Sequence, residues 1–188
     1  MSSSLVTPPA AEPLTTDEAK LYCRIESDFT AEDTIIAGII QSAREYAETF
    51  QARQLITATW KLKLHCFHYE IELPRPPLQS VTSITYIDPD GVTQTLSTSV
   101  YSVDTDCTPG VIRLKYGQMW PSVRGQNDPP IVVTFIAGYG ATSSSVPART
   151  KDGMGIYCDW RYRDRDGTRP MPPAVDSLLM GECWGQYA

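Results

Sequence analysis

His65, Cys66 and His68 fall within four residues of one another and form the only cluster of potential metal ligands in the sequence. A structural zinc site needs a second ligand pair at defined spacing, and none lies near. In an extended strand, moreover, His65 and His68 point to opposite faces. A histidine-activated cysteine is the other chemistry on offer, because such partners meet in space and not in sequence. It requires Cys66, Cys107 or Cys158 to reach a histidine in a cleft, yet the only two histidines of the chain sit in this one segment. Solvated strand residues are the expectation, and no catalytic, cofactor-binding or metal-binding residue is assigned. Gly138-Tyr139-Gly140 has neither the spacing nor the context of a dinucleotide loop, and reads as a turn. Asp88 and Asp90 fall well short of a calcium loop and suit turn chemistry instead. Arg161, Arg163, Arg165 and Arg169 make the densest basic run, but Asp159, Asp164 and Asp166 interleave with them. Mixed charge of this kind weakens a phosphate contact and suits a salt-bridged helix end or a subunit contact.

The elements that must carry these residues can be read from periodicity. Ile131–Ile136 is an apolar, β-branched run bounded by Pro129-Pro130 and Gly138, which predicts a buried strand. After the Ser143-Ser144-Ser145 loop, Pro147 opens a helix running to Arg165, with Val146, Thr150, Gly153, Tyr157 and Trp160 along one face. That face needs partner helices, and the good candidates lie about a hundred residues upstream. Thr15 and Glu18 have capping-box spacing at the start of a short helix. A longer one starts at Thr30 and Asp33 and ends near Arg53, with Ile35, Ile36, Ile39, Ile40, Ala43, Tyr46, Ala47 and Phe50 on its apolar stripe. Between the early and late helices the period switches to two. Strands are predicted from Ile56 to Cys66, over Ser80–Ile87 and Val92–Leu96 around an Asp88-Pro89-Asp90-Gly91 hairpin, and at Val100–Val103 and Val111–Lys115.

The expected fold is therefore α+β: a small helical bundle of two N-terminal helices plus one late helix, an inserted antiparallel β-domain, and an extended C-terminal tail. The boundaries are a flexible arm at 1–13, a helical domain at 14–54 and 146–166, a β-domain at 55–140, and a docking tail at 167–188. The arm is rich in Ser, Pro, Thr and Ala, too polar to offset its ordering entropy. The tail follows Arg169-Pro170-Met171-Pro172-Pro173 and either folds back on its own domain or docks on another subunit.

At 188 residues the chain is long enough for one substantial core or two small lobes. No apolar run approaches the roughly 20 residues that span a bilayer, so no membrane contact is expected. The start of the sequence has neither a basic n-region nor an apolar h-region, and five dispersed cysteines form no C-x-x-C pair, which together predict a reducing cytoplasm. A net charge of −6 argues against tight binding to nucleic acid.

Taken in order, several stretches resemble the phage head–tail connector proteins of the gp6-like class, most closely the subfamily known from gp8 of phage phiE125. They are Leu14–Lys20, Ala43–Glu48, Leu73–Ile84, the Tyr86–Gly91 hairpin, Tyr116-Gly117 with Trp120-Pro121, Phe135–Gly140 with Val146-Pro147, and Ala174–Leu179. The resemblance spans nearly the whole chain. It implies a structural role without catalysis or cofactor: a homo-oligomeric ring of twelve copies beneath the portal protein, extending the DNA channel and meeting a tail or tail-completion protein. Its place would be the virion neck, after assembly in the host cytoplasm. An acidic lumen would let packaged DNA slide without tight binding. Head-to-tail ring closure needs two complementary patches, for which Arg161, Arg163, Arg165, Leu178, Leu179, Trp184 and Tyr187 are the candidates. One departure is Lys151-Asp152-Gly153-Met154-Gly155, where such proteins carry a strongly apolar helix, so the helical core is expected to be thinner or completed by neighbouring subunits. Competing readings are another neck component such as a stopper, a cysteine-dependent hydrolase, and a monomeric β-rich binding module.

Overall fold

The computed structural model describes residues 2–125 and 129–183. Within them the chain divides into two compact units: residues 2–8 with 57–138, which are strand-built, and residues 9–56 with 139–183, which are helical. The fold is α+β, as the alternation of periods predicts.

In the helical unit, α1 (Thr16–Cys23) begins with the capping box expected from Thr15 and Glu18: each side chain takes the other's backbone N–H, at 3.1 and 2.8 Å. Helix α2 (Asp33–Gln51) buries Ile36, Ile40, Ala43 and Ala47, but its inward face also carries Arg44, Glu48 and Gln51, while Ile35 is exposed. Helix α3 (Ala148–Arg163) buries Thr150, Gly153, Met154 and Cys158. Its face is thus rotated from the one expected, with Tyr157 and Trp160 at the half-buried margin. The expected extended tail is instead a fourth helix, α4 (Pro173–Met180), whose Val175 and Leu179 are fully buried in the same core as α1, α2 and α3. The helical core is therefore completed inside the chain, and the glycines of α3 are what admit the completing groups. A Cβ on Gly153 would stand 3.1 Å from Leu179, and one on Gly155 would stand 2.5 Å from the Tyr22 ring.

The Tyr22 ring is anchored, since its hydroxyl donates to Asp152 Oδ1 at 2.6 Å, and it cannot step aside for a methyl group. Gly155→Ala is expected to destabilise the protein by about 1 kcal/mol net, an overpacking cost of about 2 kcal/mol set against the roughly 1 kcal/mol that Ala gains in helix propensity. Gly38→Ala in α2 should do the opposite, because among the described residues no atom lies within 4 Å of a Cβ there. Urea unfolding of the two variants checks the sign of each.

The strand unit holds a five-stranded antiparallel sheet in the order β1-β2-β8-β4-β5 (Ser2–Thr7, Ala58–Leu64, Ile131–Ala137, Leu78–Ile87, Thr93–Thr95). Beside it is a three-stranded sheet, β3-β7-β6 (Glu70–Glu72, Val111–Leu114, Tyr101–Asp104). Strand β8 is central, pairing β2 on one side and β4 on the other, and its alternate residues Ile131, Val133, Phe135 and Ala137 are all buried. Both sheets contribute to one apolar core that includes Leu62, Ile71, Leu78, Ile84 and Ile112. The Asp88–Gly91 hairpin forms as its sequence dictates: Gly91 takes φ +88°, and Asp88 accepts from Val92 N at 2.8 Å and Gln94 Nε2 at 2.9 Å. Strand β1 replaces the first half of the expected flexible arm. Composition reports only that its side chains bury nothing, and all six are exposed; what holds it is a backbone ladder with β2, to which composition is blind.

Candidate interaction surfaces

The structure does bring Cys66 and His68 together, with Sγ 3.6 Å from Nε2. Both are exposed, as is His65. Among the described residues nothing holds the other ring nitrogen of His68, and the hollow of about 220 Å³ beside it is lined by Leu64, Glu70, Ile71 and Glu72. Cys107 instead donates to Asp104 at 3.0 Å. Cys158 lies in the helical core, where burial pushes its thiol up to about 12, the wrong direction for a nucleophile.

Arg161, Arg163 and Arg165 of the basic run at the end of α3 are each paired within the helical unit. Arg163 Nε sits 2.7 Å from Asp159 Oδ1 one turn earlier, and Arg161 donates to the carbonyl of Asp164. Arg165 pairs with Glu32 at 2.8 Å and lies over the Tyr162 ring. Asp164 is buried and accepts from Thr168 N, Thr168 Oγ1 and Arg169 N, which ties the turn after the helix. The result is a pre-ordered surface of both signs on which Arg163 and Arg165 are exposed and Arg161, Asp159 and Glu32 are partly so. Such pairs contribute at most about 1 kcal/mol where solvent screens them, so exchanging one for a partner across an interface costs little. The Tyr162 hydroxyl and the Arg165 guanidinium hold the Glu32 carboxyl below its ordinary 4.5. A depressed carboxylate adds stability that is full above its unfolded value and is lost as pH falls through its folded value. Thermal melts should therefore fall as the pH drops below about 4.5, with a shallower acid limb in Glu32→Gln; an unchanged limb would place the acid-sensitive carboxylates elsewhere.

The C-terminal candidates separate. Leu179 is fully buried and Leu178 half-buried, both against the Gly153 turn of α3. Leu179 is accordingly core and not a docking residue. Further ties hold the segment to its own unit: Tyr46 donates to Asp176 at 2.6 Å, Gln51 Nε2 to Leu179 O at 2.9 Å, and Arg149 to Ser177 O at 2.8 Å. Trp184 and Tyr187 lie outside the described residues.

A surface that sequence reasoning missed lies in the strand unit. Phe67 and Trp120 stack with centroids 4.6 Å apart and planes 4° from parallel, and Trp120 Nε1 donates to His68 O at 3.0 Å. This pins the β2–β3 loop to the stretch after β7, and those two loops expose Tyr69, Tyr116 and Met119 almost completely. The signal available in the sequence was Tyr116 and Trp120 four residues apart outside any strand pattern. Leu21 on α1 is exposed as well, beside a hollow of about 270 Å³ whose polar groups are paired within the chain, Lys151 with Glu18 and Tyr22 with Asp152. Among the described residues no group of three or more His, Cys, Asp or Glu is placed to hold a metal ion, and no helix is long and apolar enough to cross a membrane.

The class defined by this geometry is a four-helix unit carrying a strand-built insert, with mixed-charge and apolar outer patches. No family profile matches the chain, and no curated protein does. Solved structures do. A chain from the neck of an empty GTA particle, computed with C6 symmetry, matches with TM-score 0.83 at 23% identity, over 97% of this chain and 95% of that one. Chains from the virion of a native gene transfer agent particle (TM-score 0.80) and from the neck of a native GTA particle computed with C12 symmetry (0.73) match over the same shares at the same identity. The fold is shared with these chains.

Proposed function

We propose that this chain is a structural head–tail connector of a tailed phage or phage-like particle, acting without catalysis. Twelve copies form a ring in the virion neck, beneath the portal protein and above a tail or tail-completion protein. The carrying observation is the fold likeness along 97% of the chain to chains of gene transfer agent particles, two of them described as neck. The order of the connector-like stretches from Leu14 to Leu179 supports the same reading. So does the charge: at −6 overall, copies lining a channel repel phosphates, and packaged DNA passes without being held. Another neck component, such as a stopper, shares the location and differs in what it touches. Light scattering on the chain with and without its cognate portal separates these readings. A connector gains a portal-bound ring, a stopper binds only after the connector is in place, and a binding module stays monomeric throughout.

A further inference from the structure

We propose that β1 is an exchange strand: in the ring, Ser2–Thr7 of one copy leave their own β2 and pair with β2 of the neighbouring copy. This deepens the ring reading and rests on it.

Three observations carry the proposal. First, β1 is the outermost strand of its sheet and is held by backbone pairing, from Ser2 opposite Lys63 to Thr7 opposite Thr59. Alternation puts Ser3 and Leu5 on the face of Leu62 and Trp60, the core side of β2, yet Ser3 is exposed and Leu5 is 45% exposed. With no buried side chain to lock it, any copy of β1 satisfies the ladder equally, the condition under which strand exchange costs little. Second, the segment has a hinge with fixed ends. The register breaks between Leu5 and Thr7, and Pro8-Pro9 then favour an extended backbone over a tight return. A few residues on, the chain is anchored in the helical unit, where Glu12 pairs with Arg44 at 2.8 Å and Pro13 O accepts from Ser143 at 2.7 Å. Third, the acceptor does not depend on the donor. Strand β2 is paired along its whole length with β8 on its other side, so it stays formed when β1 leaves, presenting a bare edge that must be covered.

A ring supplies the cover. Its contacts are head-to-tail, so each copy needs one donor patch and one different acceptor patch, which β1 and the outer edge of β2 provide. Ring neighbours also hold the foreign β2 at high local concentration, which removes the advantage that a copy's own β2 has in dilute monomer.

The test uses full-length single variants, Ser4→Cys and Lys61→Cys, which stand opposite each other in the ladder. The two are mixed, assembled with portal and treated with a short bismaleimide, and peptide mass spectrometry seeks the link joining positions 4 and 61. In the mixture that link can form only between chains. We expect it in assembled rings at tenfold or more above dilute monomer, and a ladder of covalent multimers from the double variant. Deleting residues 2–7 should abolish the ring while circular dichroism stays native-like. Rings that form normally but give the link only within single chains of the double variant would overturn the exchange and leave the ring reading standing. A chain that remains monomeric with portal present would overturn both.

Discussion

Leu179→Ala is expected to destabilise the protein by about 3 kcal/mol, read as a lower urea midpoint at unchanged m-value. The side chain is fully buried, stands against Gly153 of α3, and belongs to the same core as Ile36, Ile40 and Met154. Truncating such a leucine removes its transfer energy and leaves a cavity, and neighbouring helices pinned by Gln51, Tyr46 and Arg149 cannot collapse into it. The contrast with a docking tail is quantitative. A leucine waiting on the surface for a partner would change stability by no more than about 0.5 kcal/mol when truncated. Removing everything from Asp176 onward should cost more still and unfold the helical unit, so loss of partner binding by such a deletion would report on folding. A Leu179→Ala midpoint indistinguishable from the parent would show that α4 does not complete the core.

Glu48→Ala should cost about 2–3 kcal/mol, for a different reason. Glu48 is nearly buried on α2, with one oxygen accepting from Gln54 Nε2 at 2.6 Å and Leu55 N at 3.1 Å and the other facing Arg44 at 3.2 Å. Removing it leaves the buried Leu55 N–H without its acceptor and takes one partner from Gln54, while Arg44 keeps Glu12 at 2.8 Å; a buried donor left unpaired costs more than its hydrogen bond contributes. Glu48→Gln keeps an acceptor for Gln54 and Leu55 and should cost about 1–2 kcal/mol. Equal effects of the two substitutions would mean that the charge, and not the accepted hydrogen bonds, is what matters.

These two positions also mark where sequence reading stops. Local rules carried the elements whose causes are local: the Thr15–Glu18 capping box, the Asp88–Gly91 hairpin, the alternation of Ile131–Ala137 and the switch of period at residue 56 are each visible within about ten residues. What escaped depends on partners far along the chain. The apolar stripe read for the second helix leaves out Arg44 and Glu48; they turn inward to tie the segment around Glu12 and the end of α2 together. Gly153 and Gly155 fit either close helix packing or a frayed helix on sequence alone, because the groups they admit, Leu179 and Tyr22, lie 26 residues after the one and 133 before the other. Strand β1 escaped because a backbone ladder leaves no mark in side-chain composition. Of the candidate interaction residues, Arg161 is half-buried and Arg163 and Arg165 are exposed, each paired within the helical unit, Leu179 moved into the core, and the Phe67–Trp120 platform went unread because its halves are 53 residues apart.

The chain is proposed to work by standing in a ring against copies of itself. Electron microscopy of the purified chain reconstituted with its cognate portal tests this most directly. The predicted image is a closed ring of twelve copies seated coaxially on the portal around an open channel. Bare portals beside free monomers, at concentrations where the chain is fully folded, would contradict it.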